Sequence, residues 1–378
     1  MMKPIRVLHC PDIVGGNPAN LARAERKLGL QSWAVTFRQT VFSYPIDEVL
    51  LKPSDGVWAY FPNMLKLLWQ ALRNYDVIHY NFGQTIIPYI TLRKETGGLF
   101  IWLLAKVFFP FFRMIDLPIL HSAGKGILVT FQGDDARQGD YCLRNFRIST
   151  AHFIEPDYYT AKSDAAKRKL ITKFDHYADF IYYLNPDLGY ILPERAKFIP
   201  YAHVDMNEWK VVPIPNNPRP LVIHAPSHRG IKGTDIILQA VAQLKKEGVD
   251  FDFQLVEGLA NKDAREVYER ADLLIDQLYA GWYGGLSVEL MALGKPVMCY
   301  IREGDLKFIP EEMRMELPII MITPDALQSI LFAWLTEKKQ DLPSLGIQSR
   351  SFVEKWHDPL KIASRLREDY QHSLESKQ

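Results

Sequence analysis

The sequence predicts an α/β protein of two Rossmann-like domains, each with a doubly wound parallel sheet, that face each other across a cleft. Its 378 residues are too many for one ordinary domain and suit two of about 150–200 residues each. Apolar residues make up 48% of the chain, which is enough for both halves to bury a core. Short apolar runs alternate with helical patterns, and strands separated by helix-length connections form parallel β-α-β units.

Ten apolar runs are strand candidates, and they fall into two series. The first series covers 5–10, 33–37, 76–80, 127–132 and 179–184, and the second covers 220–225, 251–257, 271–278, 295–301 and 318–323. Between the first two strands of the second series, apolar residues at helical spacing predict a helix over 234–248. Thr234 and Asp235 suit its first turn, and Gly248 suits its end.

A stretch rich in proline and asparagine, 202–220, shows no periodicity and has the composition of a linker. We therefore place an N-terminal domain at 1–205 and a C-terminal domain at 206–352. A polar helical pattern follows over 353–378.

The net charge of +1 disfavours a general nucleic-acid binder, which usually shows a strong basic excess. The charge is unevenly shared, because residues 1–200 hold 24 Lys+Arg against 18 Asp+Glu and the remainder holds 21 against 26. A basic first half indicates an anionic neighbour, either a membrane surface or a phosphorylated acceptor. A chance distribution of surface charge is the other interpretation.

Cys10, Cys142 and Cys299 lie far apart, without the paired spacing of a metal or redox motif. Cys10 and Cys299 stand in apolar runs and are interpreted as small core residues. This cysteine usage fits a reducing cytoplasm. The first strand pattern begins at residue 5, so we expect no signal peptide and a cytoplasmic protein.

One segment, 97–118, departs from the pattern of a soluble domain because it is strongly apolar. Lys106, Pro110 and Arg113 interrupt it, so it falls short of the roughly 18–20 unbroken apolar residues of a membrane-spanning helix. Two interpretations stay open. The segment forms a helix buried against the N-terminal sheet, or it lies on a membrane surface with its cations toward the headgroups.

The first strand is followed by Gly15 and Gly16 and then by a helical pattern. At the positive end of a helix, glycines let the backbone approach an anion closely. The segment lacks the G-x-G-x-x-G fingerprint of dinucleotide-binding proteins, so a nicotinamide enzyme is disfavoured. A purely structural turn explains the glycine pair equally well.

The loop after the first strand of the second series carries Arg229 and Lys232 directly before a helix. Two cations at the carboxyl end of a parallel strand are well placed to hold a pyrophosphate, and each charge-assisted hydrogen bond contributes about 1.5–3 kcal/mol. The alternative is a pair of solvent-facing charges. The motif thus predicts a phosphate site that a structure can test.

A second glycine-rich loop opens another helix further along the chain. The backbone N–H groups of Gly284, Gly285, Leu286 and Ser287 are candidates to surround a phosphate oxygen. Glu289, one turn into the helix, has a carboxylate that can accept hydrogen bonds from a vicinal diol such as ribose. An unpaired buried carboxylate is costly, so a structural salt bridge is the alternative role for Glu289.

In this order and spacing, the segments resemble the nucleotide-sugar glycosyltransferases of the GT-B fold, in particular the large retaining family four (glycosyl transferases group 1). GGNPANLARAERKLG is similar to that family's first glycine loop and helix, and DVIHYNF to its third strand. ILVTFQGDDAR resembles its strand followed by His-Gly-x-Asp, and LNPDLGYILPERAKFIPYAHVDMNEW the stretch that enters its linker. HRGIKGTD and GWYGGLSVELMALGKPV resemble its Arg and Lys phosphate pair and its donor-binding loop.

The resemblance implies a nucleotide-sugar donor bound mainly by the second domain. Arg229 and Lys232 would neutralise the diphosphate leaving group, Glu289 would hold the ribose, and the 284–287 backbone would complete the phosphate site. Gly15 and Gly16 would approach the donor from the first domain, and a glycan or lipid-linked acceptor would lie near them. The candidate residues of the acceptor side are Gln132 and Asp134 as catalytic residues, and Asp135 and Arg137 as acceptor contacts.

The resemblance also implies transfer with retention, no metal and no organic cofactor, because cationic side chains and a helix end take over the charge stabilisation that Mg²⁺ supplies elsewhere. A C-terminal helix that crosses back onto the first domain is expected as well. Synthesis of a surface polysaccharide or glycolipid at the cytoplasmic face of a membrane is the expected role.

Two departures from the family pattern leave other functions open. The first of two glutamates in the donor loop is replaced by Gly281, and the histidine before Gly133 is replaced by Gln132, which cannot act as an acid or base at neutral pH. An epimerase or hydrolase of nucleotide-sugars with the same fold, or a catalytically degenerate nucleotide-sugar-binding subunit, would also fit this sequence.

Overall fold

The computed structural model describes residues 3–12, 14–40, 44–87, 112–213, 219–259 and 261–377. Two separate parallel sheets form its framework, one of seven strands and one of five. All strand pairs in both sheets are parallel. The predicted fold class, two Rossmann-like parallel-sheet domains, is therefore confirmed.

The seven-stranded sheet has the order β3-β2-β1-β4-β5-β6-β7. Its strands are β1 Arg6–Cys10, β2 Gln31–Thr36, β3 Glu48–Val49, β4 Val77–Asn81, β5 Gly126–Phe131, β6 Phe180–Tyr183 and β7 Lys197–Phe198. Every residue of the central strands β4 and β5 is buried, as expected where helices cover both faces of a parallel sheet. The order reverses between β1 and β4, and a crevice forms at the carboxyl ends of the strands at such a point.

The five-stranded sheet has the order β12-β11-β10-β8-β9. Its strands are β8 Leu221–His224, β9 Asp252–Leu255, β10 Leu273–Ile275, β11 Val297–Cys299 and β12 Ile319–Met321. The order reverses between β8 and β10, so the loops after these two strands lie side by side. All ten predicted strands are present. The two-residue strands β3 and β7 were not predicted, because two residues are too few to show a periodicity.

Thirteen α-helices are found within the described residues. In the first half they are α1 Asn17–Lys27, α2 Tyr60–Asn74, α3 Asp116–Ser122, α4 Gly139–Asn145 and α5 Ala161–Tyr177. In the second half they are α6 Arg229–Lys232, α7 Thr234–Lys246, α8 Asn261–Arg270, α9 Gly285–Ala292, α10 Glu311–Met315, α11 Leu327–Thr336, α12 Leu342–Trp356 and α13 Pro359–Glu375. Helix α7 is the helix predicted over 234–248, and it buries Ile237, Ala240, Val241 and Leu244.

The C-terminal helical pattern is divided into two helices by Pro359. Proline is tolerated in the first turn of a helix but not in its interior, and the Asp358 carboxylate accepts the Leu360 N–H at 2.9 Å to begin α13. Phe352, Val353 and Trp356 of α12 pack in the core of the second sheet. Within this pattern, the helix that lies on the first sheet is α13, which starts at residue 359.

Helix α13 packs against α1 and the first sheet through an apolar face that includes Ile362, Ala363 and Leu366. A buried polar chain adds to this contact. The Tyr370 hydroxyl donates to Glu25 Oε1 at 2.7 Å and accepts from His79 Nδ1 at 2.9 Å. Burial lowers the pKa of His79 well below its ordinary value, so the ring is neutral and its Nε2 accepts from Thr130 Oγ1 at 2.7 Å.

His357 lies at the turn between α12 and α13 and connects three segments. Its Nδ1–H donates to the Tyr201 carbonyl at 2.9 Å, and its Nε2 accepts from the Tyr283 hydroxyl at 2.9 Å. Burial lowers the pKa of His357 to about 3, although the hydrogen bond to Tyr201 works in the opposite direction. The neutral ring therefore links the chain before the linker to the glycine loop of the second domain.

We predict that His357→Gln changes how stability depends on pH. A histidine whose folded pKa is about 3 stabilises the fold fully above its unfolded value of about 6.5, and this contribution is lost as the pH falls toward 3. Between pH 7 and pH 5 it amounts to about 2 kcal/mol. Urea unfolding of both proteins at the two pH values should show that the substitution destabilises more at pH 7. An equal effect at both pH values would contradict this account, since the other histidines titrate alike in both proteins.

Candidate functional site between the two sheets

The loops at the carboxyl ends of β8 and β10 meet the start of helix α9. Helix α6 follows β8 after a short loop and carries Arg229 and Lys232. Asp276 follows β10 directly, and the glycine loop leads from there to Gly285, the first residue of α9. Most of the predicted donor-side residues are thereby brought to one edge of the second sheet.

Lys232 is 9% exposed, and its ammonium group is held by two neighbours. Nζ donates to Asp276 Oδ1 at 2.7 Å and to Gln277 Oε1 at 2.8 Å. An ammonium group has three N–H donors, and these two acceptors are its hydrogen-bond partners among the described residues. One donor therefore remains for an oxygen of a ligand.

Asp276 also fixes the glycine loop. Its Oδ2 accepts the Gly284 N–H at 2.9 Å and the Ser287 hydroxyl at 2.6 Å. Burial raises the pKa of Asp276, but the charge of Lys232 and these hydrogen bonds outweigh burial and leave the pKa below its ordinary value. The carboxylate is therefore ionised, and it couples the position of Lys232 to that of the loop.

Two of the four predicted phosphate contacts in the glycine loop are used within the protein. The Gly284 N–H is bound to Asp276, and the Ser287 N–H donates to the Gly284 carbonyl at 3.1 Å. The N–H groups of Gly285 and Leu286 remain at the start of α9, where the helix dipole is positive. A Cβ atom on Gly284 would lie 3.3 Å from Lys232 Nζ, so a side chain there would crowd the ammonium group.

Arg229 lies at the rim of the site. Its side chain is 56% exposed and forms an ion pair with Glu257 at 2.5 Å. It precedes Lys232 by three residues on α6, so both side chains belong to one helical turn. In this conformation the guanidinium contacts Glu257. A contact between Arg229 and a phosphate therefore stays a prediction.

Glu289 is 2% exposed and lies where the two domains meet. The Tyr44 hydroxyl, from the first domain, donates to Glu289 Oε1 at 3.0 Å. His203 Nε2 lies 3.6 Å from the same oxygen and donates to the Gly285 carbonyl at 3.2 Å. Burial lowers the pKa of His203 to about 4, so the ring is neutral. Glu289 is therefore in contact with two side chains of the opposite domain, Tyr44 and His203.

The glycine pair after β1 faces this contact. Gly15 and Gly16 both have left-handed backbones, with φ of 66° and 70°, which glycine adopts without strain. A Cβ atom on Gly16 would lie 2.8 Å from the Tyr44 ring. The Tyr44 side chain therefore fills the space between the first glycine loop and Glu289.

The predicted acceptor-side residues are largely bound to one another. Arg137 is buried and pairs with Asp187 at 2.6 Å and with Asp134 at 2.7 Å. Asp134 also accepts the hydroxyls of Tyr158 and Tyr159 at 2.8 and 2.6 Å. Arg137 is thus paired with two carboxylates inside the domain, and a contact between Arg137 and an acceptor remains a prediction.

Gln132 and Asp135 lie in the loop that follows β5. The Asp135 carboxylate accepts the N–H groups of Gln132 and Gly133 at 3.0 and 2.7 Å, so it shapes its own loop. Burial raises the pKa of Asp135 to about 7 despite these hydrogen bonds. Gln132 is buried, and its Nε2 has no hydrogen-bond partner among the described residues. Of these side chains, Gln132 has the clearest capacity for a ligand contact.

Gly281, which replaces the first family glutamate, has a left-handed backbone with φ of 80°. The guanidinium of Arg302 covers it, since a Cβ atom there would lie 2.7 Å from Arg302 Nη1. Arg302 in turn pairs with Asp305 at 2.6 Å. A glutamate at this position would therefore require Arg302 to move, so the departure from the family pattern is built into the surrounding structure.

Sequence reasoning missed Asp276, His203 and Tyr44. Asp276 was included in a strand predicted over 271–278, whereas β10 ends at Ile275; a carboxylate at the end of an apolar run was the available signal. His203 lay in the predicted linker, and Tyr44 stands in a loop without periodicity. The roles of His203 and Tyr44 depend on contacts with residues more than 80 positions away, which no local pattern reveals.

The apolar segment 97–118 lies largely in the part of the chain outside the described residues. Within the described ranges, no helix combines the length and apolarity that crossing a bilayer requires.

Cys10 and Cys299 are fully buried, which confirms their interpretation as core residues.

No family model and no curated protein sequence matches this chain, but solved structures do. Sucrose-phosphate synthase from Thermosynechococcus elongatus is similar with a TM-score of 0.60 and 16% identity, over 99% of this chain and 100% of the other. The Anabaena protein HepE, in complex with UDP-glucose, has a TM-score of 0.58 and 12% identity over 98% and 100%. The catalytic domain of starch synthase IV from Arabidopsis thaliana, bound to ADP and acarbose, has a TM-score of 0.60 and 12% identity over 99% and 100%.

At these identities the likeness shows the fold alone. Those structures match this chain over nearly its whole length, and together with the two parallel sheets this shows that the protein has the GT-B fold. The predicted resemblance is thereby confirmed at the level of the fold.

We predict that Asp276→Ala lowers the free energy of unfolding by about 3–5 kcal/mol, because it leaves the buried Lys232 ammonium without its counter-charge. Urea unfolding at pH 7 measures the change. The matched control is Glu257→Ala, which breaks the solvent-exposed pair with Arg229 and should destabilise the protein much less. Equal losses in the two variants would show that Asp276 has no special structural role.

Proposed function

We propose that the protein is a glycosyltransferase that moves a hexose-type sugar from a nucleoside-diphosphate sugar to a glycan or lipid-linked acceptor. The observation that carries the proposal is the position of the Lys232 ammonium beside the start of α9, where a GT-B fold has its interdomain crevice. A buried cation with one remaining donor, next to the N–H groups of Gly285 and Leu286, has the chemistry of a diphosphate site. Similar structures bind UDP-glucose and ADP.

The charges of the site suit the leaving group of this reaction. As the bond between the sugar C1 and the phosphate oxygen breaks, its electron pair goes to the diphosphate. That negative charge would be stabilised by Lys232 and by the start of α9, without a metal ion. Arg229 would contribute once it is released from Glu257. The acceptor hydroxyl forms the new bond to C1 and loses its proton. If the hydroxyl arrives on the face of the leaving group, a phosphate oxygen is the nearest base and the configuration is retained.

Glu289 would hold the ribose of the donor, and the acceptor would bind at the carboxyl ends of β4 and β5. Gln132 is the candidate for an acceptor or sugar contact on this side, since its amide N–H groups are buried without a partner among the described residues.

We further propose synthesis of a surface polysaccharide or glycolipid at the cytoplasmic face of a membrane, with peripheral attachment through 97–118. Flotation with anionic liposomes tests the attachment.

The activity is tested by incubating the protein with a panel of nucleotide-sugars and a membrane lipid extract. Release of nucleoside diphosphate together with sugar-labelled lipid or glycan supports the proposal. Conversion of the donor to an isomer or to free sugar without an acceptor would identify an epimerase or hydrolase instead. Nucleotide-sugar binding without turnover under any condition would identify a binding subunit.

We predict that Lys232→Ala and Arg229→Ala each slow transfer about 10–100-fold, because each removes a cation that stabilises the leaving group. Steady-state release of nucleoside diphosphate measures the rates. Arg314→Ala is the matched control for Arg229, because Arg314 is also exposed and paired with one glutamate, Glu311. Normal rates in both Lys232→Ala and Arg229→Ala would remove the diphosphate site from the mechanism.

We predict that Tyr44→Phe tightens the binding of nucleoside diphosphate. A ribose at Glu289 has to replace the Tyr44 hydroxyl, whose hydrogen bond to the carboxylate is of a kind that contributes about 1.5–3 kcal/mol. Removing it should improve the affinity by up to about 10-fold, since part of the gain is offset by repacking. Calorimetry with UDP, GDP and ADP measures the affinities. Unchanged or weaker binding would mean that the ribose does not bind at Glu289.

A further inference from the structure

A separate cavity of about 790 Å³ opens at the carboxyl ends of β4 and β5. Phe82 and Gly83 follow β4, Asp134 and Asp135 follow β5, and the first turns of helix α5 close the opposite side. These are neighbouring strands of the first sheet. The cavity therefore lies on the acceptor side of the proposed enzyme, and Lys232 is not among the residues that line it.

The wall formed by α5 is strongly basic. Lys162, Ala166, Lys169 and Lys173 follow one another at helical spacings of four, three and four, so they share one face. Lys162, Lys167 and Lys169 line the cavity, together with Arg113. Small alanines at 165 and 166 stand between the lysines and leave room for a ligand beside the ammonium groups.

Arg113 of the cavity wall lies close to Lys173, the last lysine of this face of α5. Lys173 Nζ donates to the Arg113 carbonyl at 2.6 Å. Burial lowers the pKa of Lys173, and the nearby Arg113 charge lowers it further, against the effect of Asp116. An anion between these cations would relieve their repulsion.

The two acidic residues of the cavity do not balance this charge. Asp134 is paired with Arg137 and receives two tyrosine hydroxyls. Asp135 is turned to the N–H groups of its own loop, and its raised pKa of about 7 leaves it partly protonated at neutral pH. Among the described residues, the four cations of the cavity wall therefore outnumber its two carboxylates.

Phe82 and Met114 both lie in the cavity wall. Their backbones are left-handed, with φ of 54° and 55°. Among the described parts of the chain, they are the two non-glycine residues with positive φ. Such conformations are uncommon for bulky residues and cluster at ligand sites. Together with Leu170, their side chains add apolar surface to the basic wall. The cavity thus combines cations with an apolar floor.

The cavity is next to the donor side of the interdomain crevice. Tyr158 lines it, and its ring centroid lies 6.2 Å from that of His228. His228 precedes helix α6, the helix of Arg229 and Lys232, and its side chain caps that helix. A molecule in the cavity could therefore present a hydroxyl toward a donor held by the second domain.

We propose that this cavity binds an acceptor that carries a phosphate ester, with the phosphate among Lys162, Lys169 and Arg113. The role as acceptor rests on the proposed glycosyltransferase function, whereas the binding of a phosphate ester does not. Phe82, Met114 and Leu170 contact the uncharged part of the molecule. A soluble sugar phosphate and the headgroup of a phospholipid share this chemistry.

Calorimetry on the full chain tests the proposal with glucose 1-phosphate and with octyl phosphate, against glucose and octyl glucoside as uncharged analogues. Each phosphate should bind at least about 10-fold more tightly than its analogue, and more weakly as the salt concentration rises. Preference for glucose 1-phosphate indicates a soluble acceptor. Preference for octyl phosphate, together with binding to phosphatidic acid vesicles, indicates a lipid acceptor.

The double substitution Lys162→Gln and Lys169→Gln should weaken phosphate-ester binding at least about 10-fold and leave nucleoside diphosphate affinity unchanged. The matched control is Lys245→Gln with Lys246→Gln, which removes two exposed lysines from α7. The proposal is overturned if the phosphates bind no better than their uncharged analogues, or if the two double variants behave alike. Lysine-dependent phosphate binding without any nucleotide-sugar turnover would instead refute the glycosyltransferase function and leave the anion site standing.

Discussion

The ion pair between Lys232 and Asp276 is the interaction on which the rest of the candidate site depends. Both side chains are almost completely buried, so neither charge is tolerated there without the other. Asp276 meets this need with one oxygen and uses the second to hold Gly284 and Ser287. The position of the cation and the direction of the first N–H groups of α9 are therefore set by the same carboxylate.

The two domains are connected by contacts of different strength. Helix α13 lies on the first sheet through an apolar face and the Tyr370–Glu25 hydrogen bond, and neutral His357 ties its start to the second domain. Across the crevice itself, Tyr44 reaches Glu289 through one hydroxyl. A single hydrogen bond can be exchanged for one to a ligand, whereas a buried apolar face cannot be separated without a large cost. The Tyr44 hydroxyl can therefore give way to a ligand while helix α13 stays on the first sheet.

The sequence was sufficient for the fold because parallel strands buried on both faces are continuous apolar runs that local patterns reveal. The ten strands were predicted from these runs, and helix α7 from apolar residues at helical spacing. The chemical partners could not be predicted in the same way. Arg137 is bound by Asp187, 50 residues further along the chain, and Tyr44 reaches Glu289 across 245 residues. Such contacts arise from the packing of separate elements, so the motif residues were found but their partners were not.

The partners of each cation distinguish structural charges from those open to a ligand. Arg137 and Arg302 are each neutralised by carboxylates within a few residues or within the same domain, and their charges therefore stabilise the fold. Lys232 has a counter-charge but keeps one donor toward the crevice, which suits a diphosphate that has to leave after each turnover. The lysines of α5 face a cavity whose carboxylates are already bound to other groups. Helix α5 thus places part of the basic excess of the first half of the chain beside the cavity proposed for an anionic acceptor.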